Sequence, residues 1–409
     1  MSESWKTEMD NQFDQLEDRL INFRRHLHQH PELSGEERES SLLVYAKLGD
    51  EGFSVKLGHE GLGVIADYAT DHASEKLPIF AMRADLDALP IQDEKTVAYR
   101  SSHMGIMHAC GHDVHTAIVS GAILVLKSLE QQGKLPWPIR IRAIFQPAEE
   151  TCEGASRMIE SGALEGVAAI MATHVDPSLP VGRAGVRNGV LTASCDEVLI
   201  QIRGHGGHAA RPHESKDPIS AAAQLINALY LHLPRVTDSQ DAVVATFGQI
   251  SGGRNSNVIP GKVELKGTIR TLNLRVREEA KQHMMRIAQG VAETTETLIK
   301  VDFGVSSPSV VNDATIISQT RCALVELLGE SAIHEIARPS MGSEDFAFYL
   351  ERVPGALVRL GSAGPSVEPT ALHTPNFDVD EGVIRVGVRL LVHQAIEWFR
   401  PKTSKVQSS

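Results

Sequence analysis

Apolar residues recur at helical spacing at Phe13, Leu16, Leu20 and Phe23, and again through Leu42, Leu43, Tyr45, Ala46 and Leu48, which predicts two helices over roughly residues 8–50. Between them HPELSGEE carries Pro, Ser and Gly, and Pro31 biases His30 away from the helical region, so this segment reads as a loop. Short apolar runs follow at 64–68, 79–84, 139–145 and 167–173, separated by helical stretches such as 116–129. Strands alternating with helices predict an α/β fold: a largely parallel, helix-covered sheet whose ligand sites lie at the carboxyl ends of strands.

Near residue 185 the composition turns to Gly, Asn, Thr and Ser, and the pattern changes. Strand-like VLIQIRG, a helix at 218–233, AVVATFGQI, GKVELKGTIRT, a helix at 276–297 and KVDFGVSS then follow in the order β-α-β-β-α-β. That order predicts a smaller α+β (ferredoxin-like) domain over 191–305, with its helices on one face. After Ser307 the periodicity of 316–328, the strand-like ALVRLG and a helix at 383–399 read as α/β again. The simplest arrangement returns this segment to the first sheet, so that 1–190 and 306–409 form one domain and 191–305 an insertion within it. No internal repeat is visible, and the closing PKTSKVQSS reads as a frayed tail.

A length of 409 residues fits two domains better than one core. With 42% hydrophobic and 22% charged residues, disordered, collagen-like and coiled-coil readings are excluded. The net charge is −12 and no basic block tracks a phosphate backbone, so nucleic acid is not an expected partner. No apolar run approaches the roughly 20 residues of a membrane span. The first thirty residues lack the apolar segment and small-residue cleavage site of a secretory signal. Cys110, Cys152, Cys195 and Cys322 are too few and too scattered for a disulfide framework, and together these features predict a reducing cytoplasm.

The densest chemistry is HACGHDVH, which puts His108, Cys110, His112, Asp113 and His115 just before the helix expected from Thr116. Thiolate, imidazole and carboxylate bind zinc, manganese and related divalent ions, and Gly111 allows a tight turn between two of them. Spacing alone leaves open which histidine ligates. Further on, FQPAEE ends a strand with Glu149 and Glu150, which can divide their roles: one holds an ion while the other takes a proton from water acidified by it. Asp85 and Asp87 end an apolar strand two residues apart, on one face, where they can ligate directly or orient a ligand. His174 and His373 each end an α/β segment. With Cys110, His112 and Glu150 they make five protein ligands, enough for two ions, and the resulting net positive charge suits an anionic substrate.

The ordered set MRADLDALP, HACGHDVH, FQPAEE, His174, GHGGHAARPH, NVIPGKVELKGTIRT, GSEDFAFYL and His373 resembles the cocatalytic metallopeptidase family of aminoacylases, hippurate hydrolases, auxin-conjugate amidohydrolases and carboxypeptidase G. The resemblance runs from about residue 20 to 400 and is nearest the hippurate-hydrolase branch. It implies a dinuclear site held by Cys110, His112, Glu150, His174 and His373, with Glu149 as general base and Asp85 or Asp87 as the catalytic aspartate. It further implies that the inserted domain is a lid and dimerisation domain. His208 would reach a partner subunit's active site to stabilise an oxyanion, and Asn257 and Arg270 would hold the substrate's carboxylate. Hinge closure between the domains would then bring anchor and metals together. After FQPAEE this chain has Thr151, Cys152, Glu153 and Gly154 where the family often has a glycine-rich turn, and Cys152 reads as an inert thiol rather than an adventitious ligand.

The implied activity is metal-dependent hydrolysis of the amide bond of N-acyl amino acids, with two divalent ions (zinc, manganese, nickel or cobalt) as cofactors in a homodimer or higher oligomer. Carboxypeptidase or dipeptidase action on short peptides is the alternative within the class. A non-catalytic binding protein for acyl amino acids does not require the base Glu149, and a structural zinc domain would be a closed four-ligand cage without spare carboxylates.

Overall fold

A computed structural model of the chain describes residues 4–365 and 370–401; the expected frayed tail, from residue 402 onward, lies outside the described residues. The chain divides into two compact units. One comprises Met1–Gly189, Val311–Ala337 and Phe348–Ser409, the other Val190–Val310 and Arg338–Ala347.

The first unit is built on an eight-stranded sheet in the order Ser54–Leu57, Val64–Ala69, Arg140–Gln146, Ile79–Asp85, Val167–Pro180, Gly355–Ala363, Ala184–Val186, Ile333–Glu335. Its centre is parallel: Arg140–Gln146, Ile79–Asp85, Val167–Pro180 and Gly355–Ala363 all run the same way. Antiparallel pairings flank this centre at Val64–Ala69 and Ser54–Leu57 on one side and at Ala184–Val186 on the other, so the sheet is mixed. The apolar runs explain the arrangement, since Ile79–Asp85 is buried at every position, as a central parallel strand covered on both faces must be.

Helices Ser4–Gln29, His112–Gln131 and Gly382–Trp398 pack on one another, and the latter two lie against the central strands. Trp5, Met9, Phe13, Leu20, Phe23 and Leu27 form the inward stripe of the first helix, with Arg24 and His28 buried on the same side. Gly121 permits its neighbours' close approach, because a Cβ there would lie 2.7 Å from both Leu20 Cδ1 and Val388 Cγ2. Two local expectations change. Helix Arg38–Asp50 buries Val44 and Leu48, while Leu42 and Tyr45 face outward. The helix expected from Thr116 begins at His112, because the whole segment from His112 to Leu126 is buried and its first turn therefore carries ionisable groups into the interior.

The second unit holds a four-stranded antiparallel sheet in the order Val243–Gly252, Lys262–Thr271, Ser194–Arg203, Leu298–Ser307. Val198, Ile200 and Ile202 alternate inward and meet Leu225, Leu229 and Met284 from helices Pro218–Val236 and Leu274–Thr295. Asp217 and Asn273 cap those helices by accepting from the amides of Ile219 and Arg275. Among the described residues no helix is long and apolar enough to cross a membrane.

Candidate metal centre

Three connections out of the central parallel strands supply most of the site. Strand Ile79–Asp85 delivers Asp85 at its last residue and Asp87 just beyond; strand Arg140–Gln146 runs into Pro147, Ala148, Glu149 and Glu150. His174 lies within strand Val167–Pro180, which continues past the expected end at 173 and keeps the imidazole on a rigid ladder. Cys110 and His112 flank Gly111, whose φ of 86° is left-handed and whose Cβ, if present, would fall 2.5 Å from Val175 Cγ2. Only glycine fits there. His373 also has a left-handed backbone, φ 61°, and is fixed by its amide donating to the Ala109 carbonyl at 2.8 Å.

The donor atoms converge on Cys110. Its Sγ lies 3.5 Å from His174 Nε2 and 3.4 Å from His373 Nε2. Glu150 Oε1 is 3.3 Å from His373 Nε2 and 3.8 Å from His112 Nε2, and Glu149 Oε2 is 4.0 Å from that same His112 nitrogen. Metal bonds of about 2.0 to 2.3 Å in a tetrahedral shell place ligand atoms about 3.3 to 3.8 Å apart, the spacing found here. Two groups able to hold a cation, Cys110–His112–His174 and Cys110–Glu150–His373, share the thiol, and a third joins His112 to Glu149 and Glu150. His112 Nε2 and Glu150 Oε1 are moreover buried with no hydrogen-bond partner, which is costly unless something else is bound there. By spacing and by chemistry, this donor set fits divalent metal.

Each imidazole is oriented by what its other nitrogen does. His112 donates Nδ1–H to Asp87, to the main-chain oxygen at 2.8 Å and to Oδ1 at 3.1 Å, which turns Nε2 toward the donor cluster. His174 donates Nδ1–H to the Val175 carbonyl at 2.8 Å, leaving Nε2 toward Cys110. His115 is different: the Val175 amide donates to its Nε2 at 3.0 Å, so its proton is on Nδ1, donated to Asp85 at 2.7 Å. Both nitrogens of His115 are therefore occupied within the protein. His108 is buried with neither nitrogen hydrogen-bonded, and it belongs to none of the metal-capable groups. Of the histidines in HACGHDVH, His112 presents a nitrogen to the cluster.

The two aspartates part company as well. Asp85 is paired with Arg83 at 2.6 Å and with His115, while its Oδ2 lies 3.8 Å from His112 Nε2, so it forms a further metal-capable group with these two histidines. Asp87 touches the cluster directly: besides His112, its Oδ2 accepts from the Glu150 amide at 2.9 Å and from Ser34 Oγ at 2.7 Å. Burial alone would push both carboxyls up, yet His112, His115 and Arg83 bring Asp85 well below the usual range, and the His112 hydrogen bond lowers Asp87. His112 responds in kind, raised against its burial by Asp85 and Asp87, while His373 is pushed up to about 10 by Cys110 and Glu150. Burial, then Arg359, holds His174 well below the usual imidazole range. A surplus of anionic groups thus favours the protonated form of His112 and His373.

His208, Asn257 and Arg270 belong to the second unit. The short ladder of Gly207–His208 with Val258–Ile259 holds His208 beside Asn257, both exposed. The Ala210 amide donates to His208 Nδ1 at 3.1 Å, so the neutral ring carries its proton on Nε2. Arg270, half-buried, donates to the Met341 carbonyl at 3.0 Å and approaches Ser343 Oγ at 3.5 Å. Cys152 donates its amide to the Glu149 carbonyl at 2.8 Å and belongs to none of the metal-capable groups. Two residues that the sequence did not single out, Ser34 and Glu37, reach the same neighbourhood from the loop read as a plain connection; the only signal was the density of acidic and hydroxyl groups in HPELSGEE.

Converging sulfur, imidazole and carboxylate donors on a mixed α/β sheet, with a further carboxyl beside them, define a metal-dependent hydrolase. The chain belongs to peptidase family M20/M25/M40, whose profile matches residues 81–397. It is 39% identical over 369 residues to an N-acetyl-L-cysteine deacetylase of Bacillus subtilis, covering 90% of this chain and 85% of that protein. It is 37% identical over 393 residues to an IAA-amino acid hydrolase of Arabidopsis thaliana, covering 95% and 88%. Among solved structures, a dinuclear metal-binding peptidase of the M20 family from Bacillus subtilis superimposes with a TM-score of 0.79 at 35% identity, covering 94% of this chain and 99% of that one.

Proposed function

We propose that this protein is a dinuclear metal-dependent amidohydrolase that cleaves the amide bond of N-acyl amino acids, releasing a carboxylic acid and a free amino acid. The observation that carries the reading is the convergence of Cys110, His112, Glu150, His174 and His373 at coordination spacing with Glu149 at its edge. In this reading Cys110, His112, Glu150, His174 and His373 would hold the two ions, with Asp87 as the aspartate that orients His112. The bound ions would acidify water to a pKa of about 7 and polarise the substrate carbonyl. Glu149 accepts the proton of the attacking water as its oxygen adds to the carbonyl carbon. It then returns that proton to the nitrogen as the C–N bond breaks.

Substrate recognition falls to the second unit in this proposal. Arg270, which has no carboxylate partner among the described residues, pairs with the substrate's free carboxylate. His208 Nε2–H serves as an oxyanion donor. A homodimer is part of the proposal: Ile219, Tyr230, Leu231, Val244 and Ile250 are exposed on helix Pro218–Val236 and the edge strand Val243–Gly252, an apolar strip beside an open ladder that a second copy would cover.

The test is release of free amine from a panel of acetyl-, benzoyl- and indoleacetyl-amino acids and dipeptides, assayed with zinc, manganese, nickel or cobalt and with a chelator. Glu149→Gln is expected to keep its metal while turnover falls by about 10²- to 10⁴-fold. Near-wild-type rates in that variant would remove Glu149 from the mechanism. Preference for dipeptides over every acyl amino acid would move the assignment to peptidase action.

A further inference from the structure

The turn that carries Glu149 and Glu150 is an awkward piece of backbone. Ala148 sits at φ 53°, a left-handed conformation that a residue with a Cβ adopts at a cost, and so requires its surroundings to hold it. Two amides of this turn are held by carboxylates from elsewhere in the chain. The Glu150 amide donates to Asp87 at 2.9 Å, and the Ala148 amide donates to Glu37 Oε1 at 2.7 Å across 111 residues of sequence.

We propose that Glu37 is a positioning residue: by reach, its carboxylate oxygen pins the left-handed Ala148 turn and so aims the carboxyls of Glu149 and Glu150. Glu37 is fully buried, and the same Oε1 also accepts from the Gly35 amide at 2.9 Å, so the side chain is itself clamped by its own loop. That loop is tied to the site at further points. The Ala88 amide donates to the Glu32 carbonyl at 2.8 Å, and Ser34 Oγ donates to Asp87 at 2.7 Å. Glu32 Oε1 and Oε2 accept from the amides of Glu39 and Ser40, which anchors the loop to the start of helix Arg38–Asp50. Segment 32–40 is thus a rigid strut between a helix terminus and the carboxylate turn. Burial, followed by the nearby Asp87, pushes the Glu37 carboxyl up to about 7, so the group is kept at a cost that an ordinary loop glutamate would not bear.

The inference rests on the reading of Glu149 and Glu150 as base and ligand, and three variants separate the possibilities. Glu37→Gln keeps the acceptor oxygen at the same reach without the charge. Glu37→Asp keeps the charge but withdraws it by one methylene, and Glu37→Ala removes both. Each is compared with wild type for kcat and KM on an N-acyl amino acid and, independently of activity, for Mn²⁺ or Zn²⁺ affinity of the metal-free protein by titration calorimetry. Loss of a supporting partner of a metal ligand typically lowers metal affinity or activity about 10- to 100-fold. We expect the Asp and Ala variants to lose that much in kcat or metal affinity with little change in KM, and Gln to stay within about threefold of wild type on the same scale. Wild-type-like Asp with impaired Gln would overturn the proposal, since charge rather than reach would then matter; so would a folded Ala variant with normal kcat and metal binding. If Ala does not accumulate, Asp and Gln decide alone. Should the wild type hydrolyse nothing in the panel, the functional reading fails, while the calorimetry still decides whether Glu37 positions Glu150.

Discussion

Asp87 offers a stringent test of how the centre is built. It is 1% exposed, and its carboxylate accepts three hydrogen bonds: from His112, from the Glu150 amide and from Ser34. In Asp87→Asn the amide oxygen can take the Oδ2 position and keep the last two, which places the new NH₂ against His112 Nδ1–H, donor facing donor. A hydrogen bond to a charged group is worth about 1.5–3 kcal/mol, so losing one corresponds to roughly 10- to 100-fold in an equilibrium constant. His112 Nδ1 still has the Asp87 main-chain oxygen at 2.8 Å, which selects the lower half of that range. Metal titrated into the metal-free variant should therefore bind about tenfold more weakly than to wild type, with Ser34→Ala, which deletes only a neutral donor, weakened by less than about threefold. A folded Asp87→Asn protein whose metal dissociation constant lies within twofold of wild type would refute the claim that this carboxylate orients His112.

Two other outcomes are expected. His393, 3% exposed against Trp5, is pushed down to about 4 by burial, with Glu397 pulling the other way. A folded value below the usual 6.5 means that the unfolded chain binds the proton more tightly. Stability is therefore fully present above about pH 6.5 and declines as pH falls toward 4, by up to roughly 3 kcal/mol. In urea melts the stability of metal-free wild type should fall relative to that of His393→Gln as the pH is lowered through that window, and parallel curves would assign the acid sensitivity elsewhere. Leu231→Glu combined with Ile250→Glu, at positions 73% and 58% exposed, should convert a dimer into a monomer by light scattering without altering metal binding; an unchanged mass would place the subunit interface on another surface.

Much of the site was legible because its residue types are rare neighbours: a thiol, imidazoles and paired carboxylates at strand ends have few other uses. What stayed open in the sequence was open for physical reasons. Asp85 and Asp87 share a face only while the strand continues, and it ends at Asp85, so their two-residue spacing could not say which takes the His112 Nδ1–H. His112 and His115 lie one helical turn apart, and the difference between them is made by Asp85 and by the Val175 amide, thirty and sixty residues away. The helix start was misplaced because a first turn filled with ionisable groups reads as a loop unless its burial is known. Glu37 was hidden for the same reason: an acidic residue in a polar loop is ordinary until its partner, 111 residues on, is seen to be a strained turn.

Asp85, Asp87, Glu149 and Glu150 crowd one neighbourhood, so the protein must overcome their mutual repulsion. It does so by neutralising and by anchoring. Arg83 and His115 answer Asp85, the His112 proton answers Asp87, and the His373 proton answers Glu150. Backbone amides and Ser34 fix the carboxylates in place, and the Glu37 strut fixes the turn from which two of them project. His112 and His373 turn their Nε2 atoms toward the cluster, so a cation would bind there while Nδ1–H of His112 stays on Asp87. Thiolate, imidazole and carboxylate ligands bind a cation in their deprotonated forms, so metal uptake here would release protons, and because the folded state alone gathers these donors, the cation would stabilise the fold by mass action.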